Sequence, residues 1–155
     1  MQPGSGQGFA FYFCHAAHIA EVAEVSVDAD LNFREDQVTV AEDVGPIINM
    51  SGAPGQVQGL IVDGLSTMAM QQITMKNGVI QQNHLDRYPV MRIASASAID
   101  VHFIQSDNRS NLVGEPALPP LAPAVANAIF AACGARLREL RITRDRLIRK
   151  HRGRP

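Results

Sequence analysis

The sequence is poor in cysteine and in aromatic residues, with two cysteines, six phenylalanines, two tyrosines and no tryptophan in 155 residues. Cys14 and Cys133 are far apart and form neither a Cys-x-x-Cys pair nor any other metal-binding spacing. Iron–sulfur clusters and structural zinc sites need closely spaced thiolates, so this chain encodes neither. We expect two reduced thiols, with Cys133 buried as a small apolar residue.

Long apolar runs and targeting signals are also missing. No apolar run reaches the length needed to cross a bilayer, so we expect no membrane span. The first eight residues lack the basic and apolar regions of a secretory signal, which makes the cytoplasm the default expectation. Their glycine, glutamine, proline and serine content predicts a flexible N-terminus over residues 1–8.

Charge is distributed unevenly, although the net charge is only −1. Residues 1–134 hold five basic and thirteen acidic residues, whereas residues 135–155 hold nine basic and two acidic ones. Such a basic end could dock an acidic partner or the phosphates of a nucleic acid. No aromatic residue or recognition motif interleaves the arginines, so nucleic acid is disfavoured and a solvated basic tail over residues 143–155 is the simpler interpretation.

Alternating apolar and polar residues predict antiparallel strands. Residues 21–28 and 37–41 are expected to form a hairpin around a turn at residues 29–32. Asn-Gly at positions 77 and 78 predicts a second hairpin over residues 71–82. The acidic side chains of the first hairpin are interpreted as its solvated face: Glu21, Glu24, Asp28, Asp30, Glu35 and Asp36. Other predicted strands are residues 9–13, 99–104 and, as a short one, 136–142.

Two stretches have helical periodicity. A stripe of apolar residues predicts a helix over residues 56–70. The uncharged residues 122–133 predict a second helix, with Pro123 tolerated only in its first turn and Gly134 as its C-cap. A last short helix is predicted over residues 144–150, capped by Thr143. These elements predict one α+β domain in which antiparallel hairpins pack with two main helices.

Two histidines, His15 and His18, are three residues apart near the first predicted strand. On a helix this spacing could place both imidazoles on one face, so a metal site is conceivable. No acidic or sulfur ligand follows at a matching interval. Two ordinary histidines in a turn are therefore the favoured interpretation.

One acidic residue, Glu115, lies between a glycine and a proline at the start of the uncharged helix. A carboxylate there can accept backbone N–H bonds at the helix start, and the spacing alone favours this role. The alternative is a poorly solvated carboxylate that acts as a base near neutral pH. Gln56 also has two interpretations. It is either a polar residue in the first turn of its helix or part of an anion-binding site at the helix N-terminus.

Several of these stretches together resemble the xanthine oxidase family of molybdenum hydroxylases. Residues 55–59, Gly-Gln-Val-Gln-Gly, resemble the family's Gly-Gln-x-x-Gly helix start, and residues 113–116, Val-Gly-Glu-Pro, resemble its Val-Gly-Glu loop. Residues 20–28, 43–49 and 88–92 look more narrowly like the large (β) subunit of isoquinoline 1-oxidoreductase-type enzymes. The resemblance covers residues 8–142, so residues 9–142 would be part of a molybdenum-cofactor-binding domain.

The resemblance implies a role for each matching residue. Glu115 would be the catalytic base that activates a water-derived ligand of molybdenum for attack on an electron-poor carbon. Gln56 and Gly55, with Gly114 and Val113, would contact the molybdenum–molybdopterin cofactor. The substrate class would be aldehydes or N-heterocycles.

The resemblance also implies that this chain is the C-terminal part of a longer large subunit. Its expected partners are the upstream half of that subunit and a small subunit with 2Fe–2S clusters. A chain holding part of a pocket is not expected to be active alone. The alternatives are a non-catalytic remnant and an assembly or binding module that uses the arginine-rich tail.

Overall fold

The computed structural model describes residues 4–152, so predictions for residues 1–3 and 153–155 lie outside the described residues. The described chain is an α+β unit, as predicted. Its strands are β1 (Ser5–Cys14), β2 (Ala17–Val27), β3 (Phe33–Asp43), β4 (Met75–Lys76), β5 (Val79–Ile80) and β6 (Ala98–Phe103). Its α-helices are α1 (Ala53–Ala69), α2 (Leu118–Cys133) and α3 (Arg144–Arg152), and 3₁₀ turns form at Leu85–Arg87, Ile93–Ser95 and Glu115–Ala117.

The main sheet has the order β1-β2-β3-β6. The β1–β2 and β2–β3 pairs are antiparallel, whereas β3 and β6 are parallel. Helix α2 packs across β1 and β2, and α1 packs beside α2 on the same face. The core therefore lies between one sheet face and these two helices. Its fully buried side chains include Ile19, Val38, Val57, Leu65, Val125 and Ile129.

The N-terminal boundary differs from the prediction. Ser5 pairs with Ser26 and Gly8 pairs with Ala23, so residues 5–8 belong to β1 rather than to a flexible segment. Glycines at positions 6 and 8 suggested a linker, yet both are buried. They are needed there because α2 packs directly on the backbone of β1.

The close approach of α2 can be measured at Gly6 and Gly8. A Cβ at Gly8 would lie 2.1 Å from the carbonyl oxygen of Ala124 and 2.2 Å from the nitrogen of Ala128. A Cβ at Gly6 would lie 2.3 Å from the oxygen of Ala128. These are backbone atoms, so a side chain would have to displace the helix.

We expect Gly8→Ala to lower the free energy of unfolding by about 3 kcal/mol, because the added methyl group overpacks a backbone contact. This corresponds to a decrease in Tm of roughly 6–12 °C for a chain of this size. Thermal denaturation followed by circular dichroism measures it. The matched control is Gly59→Ala, because a Cβ at this position on the surface of α1 would have no neighbouring atom within 4 Å. That change should raise stability by about 0.5–1 kcal/mol, and equal effects of the two substitutions would contradict the packing described.

Both main helices begin earlier than predicted. Helix α1 begins at Ala53 because Asn49 organises the preceding turn: its side-chain oxygen accepts the Gly52 N–H at 3.1 Å and its carbonyl oxygen accepts the Ala53 N–H at 3.1 Å. Helix α2 begins at Leu118, so Pro123 lies inside the helix and not in its first turn. Gly134 ends α2 in the left-handed conformation, φ 71°, as predicted.

Helix α2, together with the 3₁₀ turn before it, is more apolar than the sequence analysis allowed. The segment Glu115–Cys133 is long and apolar enough, by length and composition, to cross a membrane. Its inward side packs on β1 and β2, which is the arrangement of a core helix in a globular domain. A buried core helix and a membrane helix can have the same composition, so length and composition alone are weak evidence for a membrane span.

The interpretation of the first hairpin's acidic residues as a solvated face is wrong for Glu21. The strand phase places Ala17, Ile19, Glu21, Ala23 and Val25 on the core side of β2, and Glu21 is fully buried. Glu42 on β3 is fully buried on the same side. Glu35 is also partly covered, and burial raises the pKa of its carboxyl. The alternation of apolar and polar residues identified the strands, but it did not show which face of the sheet packs against the core.

The remaining elements follow the prediction in part. The Asn77-Gly78 turn exists with φ 52° and 77°, but its strands are two residues each. Residues 136–142 are not a strand; here Arg136 donates to Asn127 Oδ1 at 2.7 Å and stacks on Phe130. Helix α3 follows Thr143, whose carbonyl oxygen accepts the N–H groups of Arg146 and Leu147. Cys133 is half-buried, and its thiol donates to the Ile129 carbonyl at 3.3 Å.

Candidate functional site

The predicted site residues all lie at one end of the sheet. Strands β3 and β6 run parallel and end there together, since Glu42 pairs with Phe103. The β1–β2 turn is at the same end, because His18 pairs with Asp43. Helix α1 begins just beyond this edge, and the chain returns to it through residues 104–115. Loops after the carboxyl ends of parallel strands are a common position for ligand sites.

Gln56 and Gly114 are brought together from distant parts of the chain. A Cβ at Gly114 would lie 3.5 Å from both Cβ and the carbonyl oxygen of Gln56, and 3.4 Å from Leu60 Cδ2. Gly114 is buried, so the loop backbone rests on the first turns of α1. Gln56 itself is exposed and is the fourth residue of α1, not its first.

A cavity of about 150 Å³ lies beside this contact. Its polar groups are uncharged amides and a hydroxyl, from Asn49, Gln56, Ser110 and Asn111, and Val113 supplies part of its apolar wall. Gly55 lies outside the cavity lining, and a Cβ there would meet nothing within 4 Å. The glycine thus leaves open space at the surface of α1 next to the cavity.

Glu115 is exposed, and it is the first residue of the 3₁₀ turn that leads into α2. Among the described residues, the apolar helix α2 therefore does not bury the Glu115 carboxylate. The end of β1 contributes neighbours that the sequence analysis missed. The thiol of Cys14 and then the charge of Glu115 raise the pKa of the Tyr12 phenol. Alternation along β1 was the available signal, because Tyr12 and Cys14 lie on the helix side of the strand.

Asp43 holds the two loops of the site together. Its carboxylate accepts hydrogen bonds from the Ser106 hydroxyl, from Asn108 Nδ2 at 2.7 Å and from the Gly45 N–H at 3.3 Å. The Ser106 bond is the main reason that the pKa of Asp43 is lowered. The Asn111 N–H donates to the Val44 carbonyl at 3.0 Å, which extends the same connection toward Val113.

We expect Asp43→Ala to free residues 104–111 without unfolding the domain, because the two hydrogen bonds that join the loops, from Ser106 and Asn108, are lost. Hydrogen exchange should then speed up at the Asn111 amide and stay unchanged in α2. In the wild type the connection should weaken only as the pH falls through the lowered pKa of Asp43, since its charged form accepts these bonds. Unchanged exchange at Asn111 in the variant would contradict this role.

His15 and His18 belong to the β1–β2 hairpin. His15 and Ala16 have φ values of 51° and 66° and form its tight turn. The His18 ring lies against Phe13, with centroids 4.9 Å apart, and 6.2 Å from Phe11. Among residues 4–152, no group of three or more histidine, cysteine, aspartate or glutamate side chains is placed to hold a metal ion.

Comparison with known proteins identifies the family. The family profile described as "Molybdopterin cofactor-binding domain" matches residues 1–97. The chain belongs to the xanthine oxidase family. Among curated proteins, it is 33% identical over 120 residues to the membrane-bound aldehyde dehydrogenase [pyrroloquinoline-quinone] of Gluconacetobacter polyoxogenes, covering 77% of this chain and 16% of that protein. It is 30% identical over 138 residues to isoquinoline 1-oxidoreductase subunit beta of Brevundimonas diminuta, covering 88% and 18%.

Solved structures in this family have the same fold. Quinoline 2-oxidoreductase from Pseudomonas putida 86 superposes with a TM-score of 0.78 at 21% identity, covering 90% of this chain and 19% of that one. The chain therefore spans less than a fifth of the length of these relatives. As a member of the xanthine oxidase family, it represents only part of a large subunit.

The residues present are compatible with one side of a molybdopterin site. Uncharged amides and a hydroxyl suit the hydrogen-bonding edge of a pterin, and the start of α1 favours an anionic group such as a phosphate. The backbone at Gly55 and Gly114 leaves room for close approach. A complete small-molecule site has about 300–1,000 Å³, and the cavity here has about 150 Å³. The cavity is therefore too small to be a complete site, and its lining fits one wall of such a site.

Proposed function

We propose that this chain is the C-terminal segment of a molybdenum hydroxylase large subunit, with Glu115 as the catalytic base. The observation that carries the proposal is the contact between Gln56 and Gly114 at the sheet end where Glu115 stands. Two motifs nearly sixty residues apart form one surface, beside a cavity lined by uncharged hydrogen-bonding groups. The family membership supports molybdenum–molybdopterin as the group that this surface faces.

Each of the predicted residues has a task in this proposal. Gln56 donates a hydrogen bond through its side-chain amide, and Gly55, Gly114 and Val113 let the backbone approach the cofactor closely. When bound, the molybdenum centre supplies the two-electron oxidation of a C–H bond with oxygen from water. Glu115 accepts on Oε the proton of the attacking water-derived hydroxyl, and the balance of the reaction is substrate plus water giving hydroxylated product, two electrons and two protons.

The proposed substrates are aldehydes or N-heterocycles, which present an electron-poor carbon beside oxygen or nitrogen. The electrons leave through a separate 2Fe–2S subunit, since the two cysteines here, Cys14 and Cys133, are too far apart for a cluster. The upstream half of the large subunit closes the pocket and covers Glu115. The isolated chain is inactive because it leaves its base and its cavity open to water.

Turnover in labelled water tests the proposal. The chain is co-expressed with a neighbouring reading frame that encodes the upstream half, and the complex oxidises an aldehyde or N-heterocycle with a dye as electron acceptor in H₂¹⁸O. We expect one ¹⁸O atom per product and no oxidation by the chain alone. A product without label, or activity of the isolated chain, would refute it. If the complex forms but never turns over, the chain is a non-catalytic remnant or an assembly module.

A further inference from the structure

The chain leaves its core for 26 residues between α1 and β6, and we call these residues, 72–97, the arm. No residue of the arm is buried, although all of them are described. Loops of this length without a core of their own are uncommon in compact domains and usually have a function. The arm therefore needs an explanation that the cofactor site does not give.

About half of the exposed residues of the arm are apolar, and several of them are large. Leu85 is 90% exposed and Ile93 is 98% exposed. Their apolar neighbours on the arm are about half exposed or more: Ile73, Met75, Val79, Ile80 and Val90. Soluble monomers rarely expose apolar surface in such concentration, and a surface of this kind marks an interface.

Internal bonds give the arm a defined shape in spite of its exposure. Several hydrogen bonds join Thr74 and Gln82, among them the Thr74 N–H donating to Gln82 Oε1 at 2.7 Å and Gln82 Nε2 donating to Thr74 Oγ1 at 3.0 Å. The Met91 N–H donates to Oγ of Ser66 on α1 at 2.8 Å, which ties the arm to the core. The apolar side chains are thus presented outward by an ordered backbone.

The arm also belongs to the family and is not an insertion peculiar to this chain. The family profile runs through residue 97, the last residue of the arm. The superposition with quinoline 2-oxidoreductase leaves a tenth of the chain unmatched, about 16 residues, which is fewer than the arm contains. Relatives therefore keep at least part of this path, and more than four fifths of their own length lies outside the matched region.

We propose that the arm is the surface on which the rest of the large subunit docks. In relatives the matched segment and the rest of the subunit belong to one polypeptide, so the rest of the subunit would be available to cover the arm. Docking would bury the exposed apolar side chains, and that gain would hold the two pieces of the pocket together. The choice of partner rests on the proposed function, but the docking itself needs neither cofactor nor turnover.

Limited proteolysis of a complex tests the docking surface. The chain is co-expressed, without added molybdenum, with the Brevundimonas diminuta subunit beta from which the matched segment is deleted. Trypsin can cut the arm after Lys76, Arg87 and Arg92, which are all exposed, and can cut α3 after Arg149 as an internal reference. The full-length subunit is the control, because its own matching segment already occupies the position where this chain would dock.

We expect the chain to co-purify with the deleted subunit and not with the full-length one. Cleavage in the arm should slow at least tenfold relative to the free chain, with cleavage at Arg149 unchanged. The double variant Leu85→Glu with Ile93→Glu should abolish co-purification, whereas Leu140→Glu, an exposed apolar residue outside the arm, should not. No co-purification, or co-purification with an arm cut as fast as in the free chain, would overturn the proposal. Protection of the arm by a second copy in the free chain would also overturn it.

Discussion

Glu115→Gln in the completed enzyme is expected to lower kcat by about 10²–10⁴-fold while molybdenum stays bound, since general base catalysis typically contributes this much. Glutamine keeps the size of the side chain and one accepting oxygen, but it cannot act as a base. Glu115 is exposed in the isolated chain and is not part of the core, so the substitution should leave folding unchanged. Steady-state kinetics and metal analysis on the same preparation measure both quantities.

The matched control is Glu139→Gln, because the Glu139 side chain is 72% exposed and belongs to the segment after α2. This control should keep full activity. If Glu115→Gln retained wild-type kcat with bound molybdenum, Glu115 would be no more than the helix-start carboxylate that its spacing suggests. Loss of molybdenum in that variant would instead assign it a binding role.

The second large effect is expected in stability against pH. Burial, together with the charge of Glu42, raises the pKa of Glu21 from 4.5 to about 8, and burial raises that of Glu42 to about 8. Both carboxyls lie on the core face of adjacent strands, and none of their oxygens has a hydrogen-bond partner among the described residues. Both carboxyls are neutral at pH 7 in the folded chain and ionise when the chain unfolds. An ionised carboxyl would have no charged partner in this core.

The direction in which stability changes with pH follows from the number of protons that each state binds. At these two carboxyls the folded state binds more protons than the unfolded state between pH 4.5 and about 8, so the stability they contribute is greatest below pH 4.5 and is lost as the pH rises to about 8. At 1.36 kcal/mol per unit, the shift of Glu21 corresponds to at most about 5 kcal/mol. We expect urea denaturation to show a fall of about 3–5 kcal/mol between pH 5 and pH 9.

Glu21→Gln should remove roughly half of this fall, because glutamine does not ionise whereas the buried Glu42 still does. Glu24→Gln is the control, since Glu24 lies on the outer face of the same strand and is bonded to Gln7. The control should leave the pH profile as in the wild type. A wild-type stability that rises between pH 5 and pH 9 would contradict the buried, unpartnered state of the pair.

Local sequence signals predicted the strands of the main sheet, both main helices and the Gly134 cap, because each depends on residues close in sequence. They misplaced what depends on distant contacts. Gly6 and Gly8 indicated a flexible end, yet they are glycines because α2 lies against their backbone. Glu21 lies in a strand in which apolar and polar residues alternate. Only the position of α1 and α2 determines that the face carrying Glu21 packs against the core.

The site was predictable to the extent that its residues lie in two recognisable motifs. Gln56 and Gly114 were identified through the family resemblance, and the fold brings them into contact. Tyr12, Cys14 and Asp43 were missed, since their place at the site follows from strand register and not from any local pattern. The exposure of Glu115 could not be deduced either, because its cover would belong to polypeptide outside this chain.

The central claim is that this chain is one wall of a molybdenum site that another polypeptide completes. The most direct measurement is the molybdenum and molybdopterin content per chain, purified alone and after co-expression with the upstream half. The relative named for pyrroloquinoline quinone makes quinone content worth measuring in the same samples. We expect about one molybdenum and one molybdopterin in the complex and none in the chain alone. A complex without molybdenum, or a full complement of it in the chain alone, would contradict the account.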